Sequence, residues 1–436
     1  MYVLKWRVHR LLHQARHSLA SPSRNPRMAV VVGRILAIAF LLCFGTGLFS
    51  HFLQDPAPWM VFPTRPIWIY QVSQGIHITA GIACFPLLFA KLYTIFPELF
   101  QSPPVRSFAH FLERASIALF VAASLVEITI GLLNTYQFYS LFPFSFRHTH
   151  FVLSFVVVGS LAIHIGVKLG TITRYWRKRD AYDTDGDLVA HQQDADAELE
   201  VFDEYRRLTG KHQSAGVTGR IAAWIDSDPG ARPSRQHAST SRRGFLVTTG
   251  VAAAALVGLT AGQSFRLLDG ANLFGARKND VGPQGLPVNR TAKAADVEQS
   301  ATSPDWRLTV ANGEAERSLD YAQLRSLAQH EVVLPIACVE GWSQYASWRG
   351  VRVKDLMALV GAEAGADIRV ISLQTNSMYG TTSMQAEFVQ DDLSLVALEL
   401  DGQTLDLDHG YPARIITPAR PGVLQTKWLS RLEVIE

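Results

Sequence analysis

Residues 35–54 read ILAIAFLLCFGTGLFSHFLQ, an unbroken run between Arg34 and Asp55 without a formal charge. A bilayer's hydrocarbon core is about 30 Å thick and takes about 20 largely apolar residues in one helix, so this stretch predicts a membrane span. Three more follow. No charge lies between Arg65 and Lys91, and only Glu127 interrupts residues 115–146, which leaves room for a helix and a loop. Between Arg147 and Lys168 the chain is again uncharged apart from His148, His150 and His164.

The 436 residues carry 41 Lys and Arg against 38 Asp and Glu, a net charge of +3, which gives no reason to expect nucleic acid as a partner. At roughly 150 residues per domain the length suggests two or three units. Hydrophobic residues at 48% with 18% charged hide a split, because residues 28–174 are poor in charge and the last third reads as a soluble domain. A single soluble globule is excluded. The three cysteines, Cys43, Cys84 and Cys338, cannot build a disulfide framework or a cysteine zinc site.

Orientation follows from the basic flanks. Lys5, Arg7, Arg10, Arg16, Arg24 and Arg27 precede the first span, and Arg174, Arg177, Lys178 and Arg179 follow the fourth. The positive-inside bias places both ends of a 28–179 bundle in the cytoplasm. Short aromatic loops, 55–66 and 137–146, then face outward.

Histidines inside apolar spans are costly enough to need a reason. His51 closes the first span, His77 lies in the second, and His150 and His164 lie in the fourth. The last two are 14 residues apart, about 21 Å along a helix and just under four turns, so they share a face at two depths. Such residues can also satisfy one another or a carbonyl, but four of them on three helices at this spacing suit two stacked haems. The pattern resembles the four-helix di-haem cytochrome b family that serves hydrogenases and formate dehydrogenases. That resemblance implies two haem b groups, with His150 outside and His164 inside as iron ligands and His77 and His51 as their partners. Arg34 stands near the place where the family often has a histidine, and His51 falls at the outer rim. The pairing therefore stays open, with His110 as an alternative ligand.

From Tyr182 to about Arg235 the chain is polar and reads as a cytoplasmic linker (180–240) with a short helix around Ala197 to Leu208. Ser241-Arg242-Arg243-Gly244-Phe245-Leu246 then opens a weakly apolar stretch, 241–265. It reads as a fifth span or as a twin-arginine signal, which implies the twin-arginine export machinery as a partner. Either reading delivers the remainder outside. After a further linker, 266–304, short alternating runs return: strands at 306–310, 331–336, 369–373 and 414–417, and helices at 321–328 and 354–360. Their irregular mixture predicts an α+β domain over 305–436, and no glycine-rich phosphate loop follows a strand.

Cys338 sits in LPIACVEGWSQYASWRGVRVKDLM (334–357). A lone cysteine in an exported domain is a small buried hydrophobe or a ligand, and a thiolate in a polar turn suits a metal that needs one protein donor. CVEGWS with WRGV, and LDGQTLDLDHGYPARIITPARPGVLQTKWLSRLEV (400–434), resemble the sulfite-oxidase-like molybdopterin-binding family over roughly Trp306 to Glu436. The resemblance implies Cys338 on molybdenum as the catalytic residue and His409, Arg414 and Lys427 beside the cofactor, with Arg420 and Thr426 as further candidates. Val339-Glu340-Gly341-Trp342 replaces the glycine-asparagine-arginine run usual in sulfite oxidases. It is more similar to the methionine-sulfoxide reductase branch, whose catalytic subunit draws electrons from a separate haem membrane protein. No dimerisation domain is expected after the KW strand.

The expected architecture is thus multidomain: an all-α transmembrane four-helix bundle, a fifth transmembrane or twin-arginine segment, and an α+β molybdopterin-binding domain. The expected function is a multi-pass membrane oxidoreductase linking quinone or quinol, haem and an extracytoplasmic Mo-molybdopterin, with reduction of a small-molecule S- or N-oxide. Oxidation of a sulfite-type sulfur compound, or a non-catalytic electron carrier, are the alternatives.

Overall fold

A computed structural model of the chain describes residues 11–12, 23–100, 105, 107–138, 142–177, 220 and 241–435. The expected cytoplasmic linker 180–240, its helix around 197–208, Lys5, Arg7, Arg10, Arg16, Lys178 and Arg179 lie outside these residues, except for position 220.

Among the described residues, five helices are long and apolar enough to cross a membrane. They are α1 (Pro26–Gln54), α2 (Ile69–Ile95), α3 (Phe108–Thr135), α4 (Phe146–Arg177) and α5 (Arg242–Ala261). α1, α2 and α4 exceed the uncharged runs that announce them, because a helix continues through flanking polar residues once its apolar stretch is formed. Ile38, Leu41, Leu119, Leu169 and Val247 are all exposed. Apolar side chains turned outward along whole helices are what a hydrocarbon solvent selects.

The helices divide between two compact units. One holds residues 1–40, 83–130 and 148–254, and the other holds 41–82, 131–147 and 255–436. In the first, Lys168 Nζ meets Glu113 Oε1 at 2.5 Å, so these two charges are paired with each other. Arg27 Nη1 donates to the carbonyls of Tyr175 and Trp176, covering groups that the end of α4 leaves without helical partners.

The second unit contains the C-terminal domain. Short helices α6 (Ala292–Ala295) and α7 (Glu298–Ala301) lead into β1 (Leu308–Asn312), β2 (Ala315–Leu319) and α8 (Tyr321–Ser326). There follow β3 (His330–Ala337), β4 (Ser343–Arg352), α9 (Val353–Ala358), β5 (Ile368–Ser372), β6 (Thr381–Met384) and α10 (Ala386–Gln390). The chain closes with β7 (Leu395–Leu400), β8 (Gln403–Thr404), β9 (Arg414–Ile416) and β10 (Leu429–Val434). One sheet has the order β2-β1-β10-β5-β6. The other runs β3-β4-β7-β8, with β9 also paired to β7. The domain is α+β, and the expected strands and helices fall at these places. Strands β2, β4, β6, β7 and β8 lie in stretches not read as strands.

Leu308, Val310, Val370 and Leu432 from the first sheet share one buried cluster with Val351, Val396 and Leu398 from the second. Leu53 of α1 and Tyr70 of α2 belong to that cluster. Where a linker is expected over 266–304, the structure has short helical turns. Ala292, Ala295, Val297 and Ala301 pack on Trp428, so the segment is part of the domain. Small alanines next to one large indole carry no periodic signal, which is why composition suggests a linker there.

Trp348 is fully buried and donates its indole N–H to Leu334 O. Trp348→Ala should destabilise the C-terminal domain by about 3–5 kcal/mol, seen as a lowered midpoint in denaturation followed by tryptophan fluorescence.

Candidate functional site

Strands β3 and β4 form a hairpin whose last pair is Ala337 with Ser343, so Cys338–Trp342 is its loop. Cys338 N–H donates to Trp342 O at 2.9 Å and Gly341 N–H to Cys338 O at 3.0 Å, closing a tight turn. Gly341 holds φ +101°, a conformation that only glycine adopts without strain. Cys338 is thereby fixed at the head of the hairpin, 2% exposed.

A recess opens beside it. Its wall is made by Pro287 and Asn289 from the segment before α6, Ile336, Cys338 and Trp342 of the hairpin, His409, Arg414, Gly422 and Lys427. Three of the expected cofactor neighbours, His409, Arg414 and Lys427, are therefore gathered around the thiol. Arg420 and Thr426 are buried behind the wall: Arg420 donates to Ser383 O, and Thr426 Oγ1 lies 3.2 Å from Thr382 Oγ1. Gly422 lets this segment close on the hairpin, since a Cβ there would stand 3.0 Å from Ala337 O.

The cations are committed to carbonyl oxygens. Arg414 Nη1 donates to His409 O at 3.0 Å and its Nη2 to Gln425 O at 3.2 Å, while its guanidinium lies 5.0 Å above the Trp348 ring. Lys427 Nζ donates to Arg290 O at 2.6 Å and Asp408 O at 2.9 Å. Burial lowers Arg414 to about 9, still charged at neutral pH, and lowers Lys427 to about 7 with help from Arg414. His409 Nε2 stands 2.7 Å from Pro283 O. A carbonyl can only accept, so this nitrogen carries the proton, and burial holds the ring near 4, neutral at pH 7.

Glu340 is the buried anion of the loop. Trp342 Nε1 donates to it at 3.0 Å, Gln137 Nε2 donates as well, and Arg277 Nε lies 3.6 Å away. Burial raises its carboxyl, and Arg277 works against that rise. Burial, and then Glu340, push the Cys338 thiol well above its ordinary value.

A profile for the oxidoreductase molybdopterin binding domain matches residues 294–436. The C-terminal domain is a sulfite-oxidase-like molybdopterin-binding oxidoreductase domain. The chain is similar to the putative protein-methionine-sulfoxide reductase subunit YedZ1 of Azospira oryzae, 31% identical over 112 residues, 26% of this chain and 42% of that protein. It is also similar to mitochondrial sulfite oxidase of Rattus norvegicus, 29% identical over 160 residues, 30% of this chain and 29% of that protein. The uncharacterized oxidoreductase YuiH of Bacillus subtilis is 26% identical over 116 residues, 26% of this chain and 57% of that protein. The chain thus spans less than two thirds of each of these relatives.

The donor set can be tested against a molybdopterin. Among the described residues no three His, Cys, Asp or Glu side chains gather into a metal-binding group. A single buried sulfur can hold a metal only where another molecule supplies the remaining ligands, as a dithiolene does. Two cationic side chains and a neutral imidazole on the same wall suit an anionic, hydrogen-bonding organic group. The residues fit. Pro287 and Asn289 had no sequence signal, because they come from the expected linker.

The thiol's environment makes a measurable statement. In cofactor-free protein, Glu340→Gln removes the nearest negative charge and should lower the Cys338 pKa. Alkylation by iodoacetamide at pH 8, followed by peptide mass spectrometry, is expected to run several-fold faster than in the parent.

Proposed function

We propose that the chain is a membrane-bound molybdenum oxidoreductase that carries electrons from quinol through haem b to an extracytoplasmic Mo-molybdopterin and reduces a small S-oxide or N-oxide. The observation that carries this reading is Cys338, buried at the head of a hairpin loop and facing Lys427, Arg414 and His409 across one recess. Cys338 would be the one protein ligand to molybdenum. The bound cofactor would supply oxygen-atom exchange coupled to two-electron redox change.

The chain's own residues have separable tasks. Lys427 and Arg414 would set the electropositive wall against the cofactor's anionic groups, and His409 would present an uncharged ring, positioned by Pro283 O. Arg420, whose Nη1 is buried without a hydrogen-bond partner among the described residues, and Thr426 would hold the same segment from behind. Trp342 would shut one side of the recess against water. Reduction of a sulfoxide consumes two electrons and two protons and yields a sulfide and water, so the open mouth must admit both substrate and protons.

The membrane helices would supply the electrons. His51, His77, His150 and His164 would be haem iron ligands. His77 Nδ1 stands 2.8 Å from Cys43 O, a second bond of the kind that fixes a ligating imidazole with Nε2 toward a metal. His164 Nδ1 is buried with no hydrogen-bond partner among the described residues. Arg242 and Arg243 at the start of α5 would act as a twin-arginine signal and place the C-terminal domain outside, with Arg24, Arg27, Arg174 and Arg177 inside.

The name of the Azospira relative favours a sulfoxide substrate, and that of the rat relative favours the reverse flow, from a sulfur anion to quinone. Dithionite-reduced protein mixed with sulfoxides and N-oxides should show haem reoxidation, whereas sulfite added to oxidised protein should not reduce the haem. The opposite pair of results would select the oxidase. Cys338→Ser is expected to abolish turnover and molybdenum retention by elemental analysis while leaving the haem spectrum intact. His164→Leu should remove at least half of the haem absorbance in purified membranes and leave molybdenum content unchanged.

A further inference from the structure

The hairpin loop that carries Cys338 has two backbone hydrogen bonds within itself, Cys338 N–H to Trp342 O and Gly341 N–H to Cys338 O, and the Trp342 indole donates to Glu340. Further polar groups of the loop are held by residues that precede the matched domain. Gln74 Nε2 of α2 donates to Val339 O at 3.0 Å, and Ser264 Oγ, just after α5, donates to Gly341 O at 2.7 Å. Gln71 Nε2 of α2 donates to Ser343 Oγ at 2.9 Å, and Gln137, just after α3, donates to Glu340. Ile78 of α2 lies against Gly341, where an added Cβ would come within 2.5 Å of Ile78 Cδ1. All of these residues belong to one compact unit.

Gln71, Gln74 and Ile78 are spaced i, i+3 and i+7, so they form one face of α2. Two glutamines on one face of an apolar helix are expensive unless each amide is bonded. Gln74 is 5% exposed, and its amide is bonded within the protein, to Val339 O and Tyr70 OH. Contacts elsewhere in this unit do not touch the loop: Arg65 pairs with Asp391 at 2.6 Å, and Gln385 donates to Met60 O at 2.7 Å. Those contacts hold the domain in place. The glutamine face holds the ligand's loop.

We propose that α2 is part of the metal site, and that Gln74, assisted by Gln71 and Ser264, is a positioning residue that sets where the Cys338 sulfur stands. The inference rests on Cys338 as the metal ligand. His77 lies three residues beyond Gln74, about 4.5 Å further along the same helix. One rigid segment thus carries both a haem-ligand candidate and the clamp on the cysteine loop, so the sulfur keeps a fixed place relative to the helix.

The test uses full-length protein in detergent with Gln74→Leu, Gln74→Glu and Gln71→Leu, and Arg65→Leu as the control. Leu matches the bulk of Gln without a donor, and an ionised Glu cannot donate to a carbonyl. In half-reduced holoprotein, the molybdenum paramagnetic resonance of the Gln74 variants should change in g values and in splitting from the cysteine β-protons, which report the sulfur's torsion. Arg65→Leu should keep the parent line shape. In cofactor-free protein, amide hydrogen exchange at 339–343 should rise roughly fivefold to tenfold in Gln74→Leu and stay unchanged in Arg65→Leu. Parent-like resonance and exchange in Gln74→Leu would overturn the proposal. Should either Gln74 variant not assemble, Gln71→Leu decides by the same two measurements. Absence of any molybdenum signal in the parent would refute the metal reading instead, and the exchange measurement would still decide the positioning role.

Discussion

A hairpin loop that buries its backbone must find a partner for nearly every carbonyl, because an unbonded one away from water costs about 1–3 kcal/mol. The loop 338–342 meets this constraint with two internal bonds and then depends on side chains from outside the hairpin, Gln74 for Val339 and Ser264 for Gly341. Cys338 is held by backbone hydrogen bonds in its turn and opens on a recess. Gly341 permits the turn, and Gly422 permits the opposing segment to approach it.

The same logic governs the charges. Arg414, Arg420 and Lys427 are buried cations, and burying a cation is costly unless carbonyls or anions surround it. Here the carbonyls of His409, Gln425, Arg290, Asp408 and Ser383 take that part. Carbonyl dipoles stabilise a cation without cancelling its charge. The wall of the recess therefore stays electropositive, in a place where Lys427 is held only to about 7. An anionic group entering the recess would favour the protonated ammonium and strengthen its own binding.

The helices and the sheets are also one problem in packing. Leu53 and Tyr70 sit in the core shared by the two sheets, and residues 41–82 belong to the same compact unit as the C-terminal domain. Tyr70 OH and Ser50 Oγ stand 3.2 Å apart there, and Gln54 joins them to Tyr379, so the polar tips of these helix segments are bonded within the unit. An apolar helix can end among polar groups only where its last side chains have such partners.

Much of this was legible in the residues. Five apolar helices follow from uncharged runs, since bilayer thickness sets a length that composition alone can satisfy, and the α+β domain follows from short mixed runs. Cys338, His409, Arg414 and Lys427 were named from two motifs 70 residues apart, and the fold brings them to one recess. Composition failed where the partner was distant. Residues 266–304 look like a linker because their small side chains pack on Trp428, and Pro287 and Asn289 reach the recess only through that packing. Nothing in the sequence marks Gln71 and Gln74 as more than polar interruptions of an apolar helix. Their role depends on which carbonyls lie opposite, and hydrogen bonds between residues some 270 positions apart are decided by the tertiary structure alone.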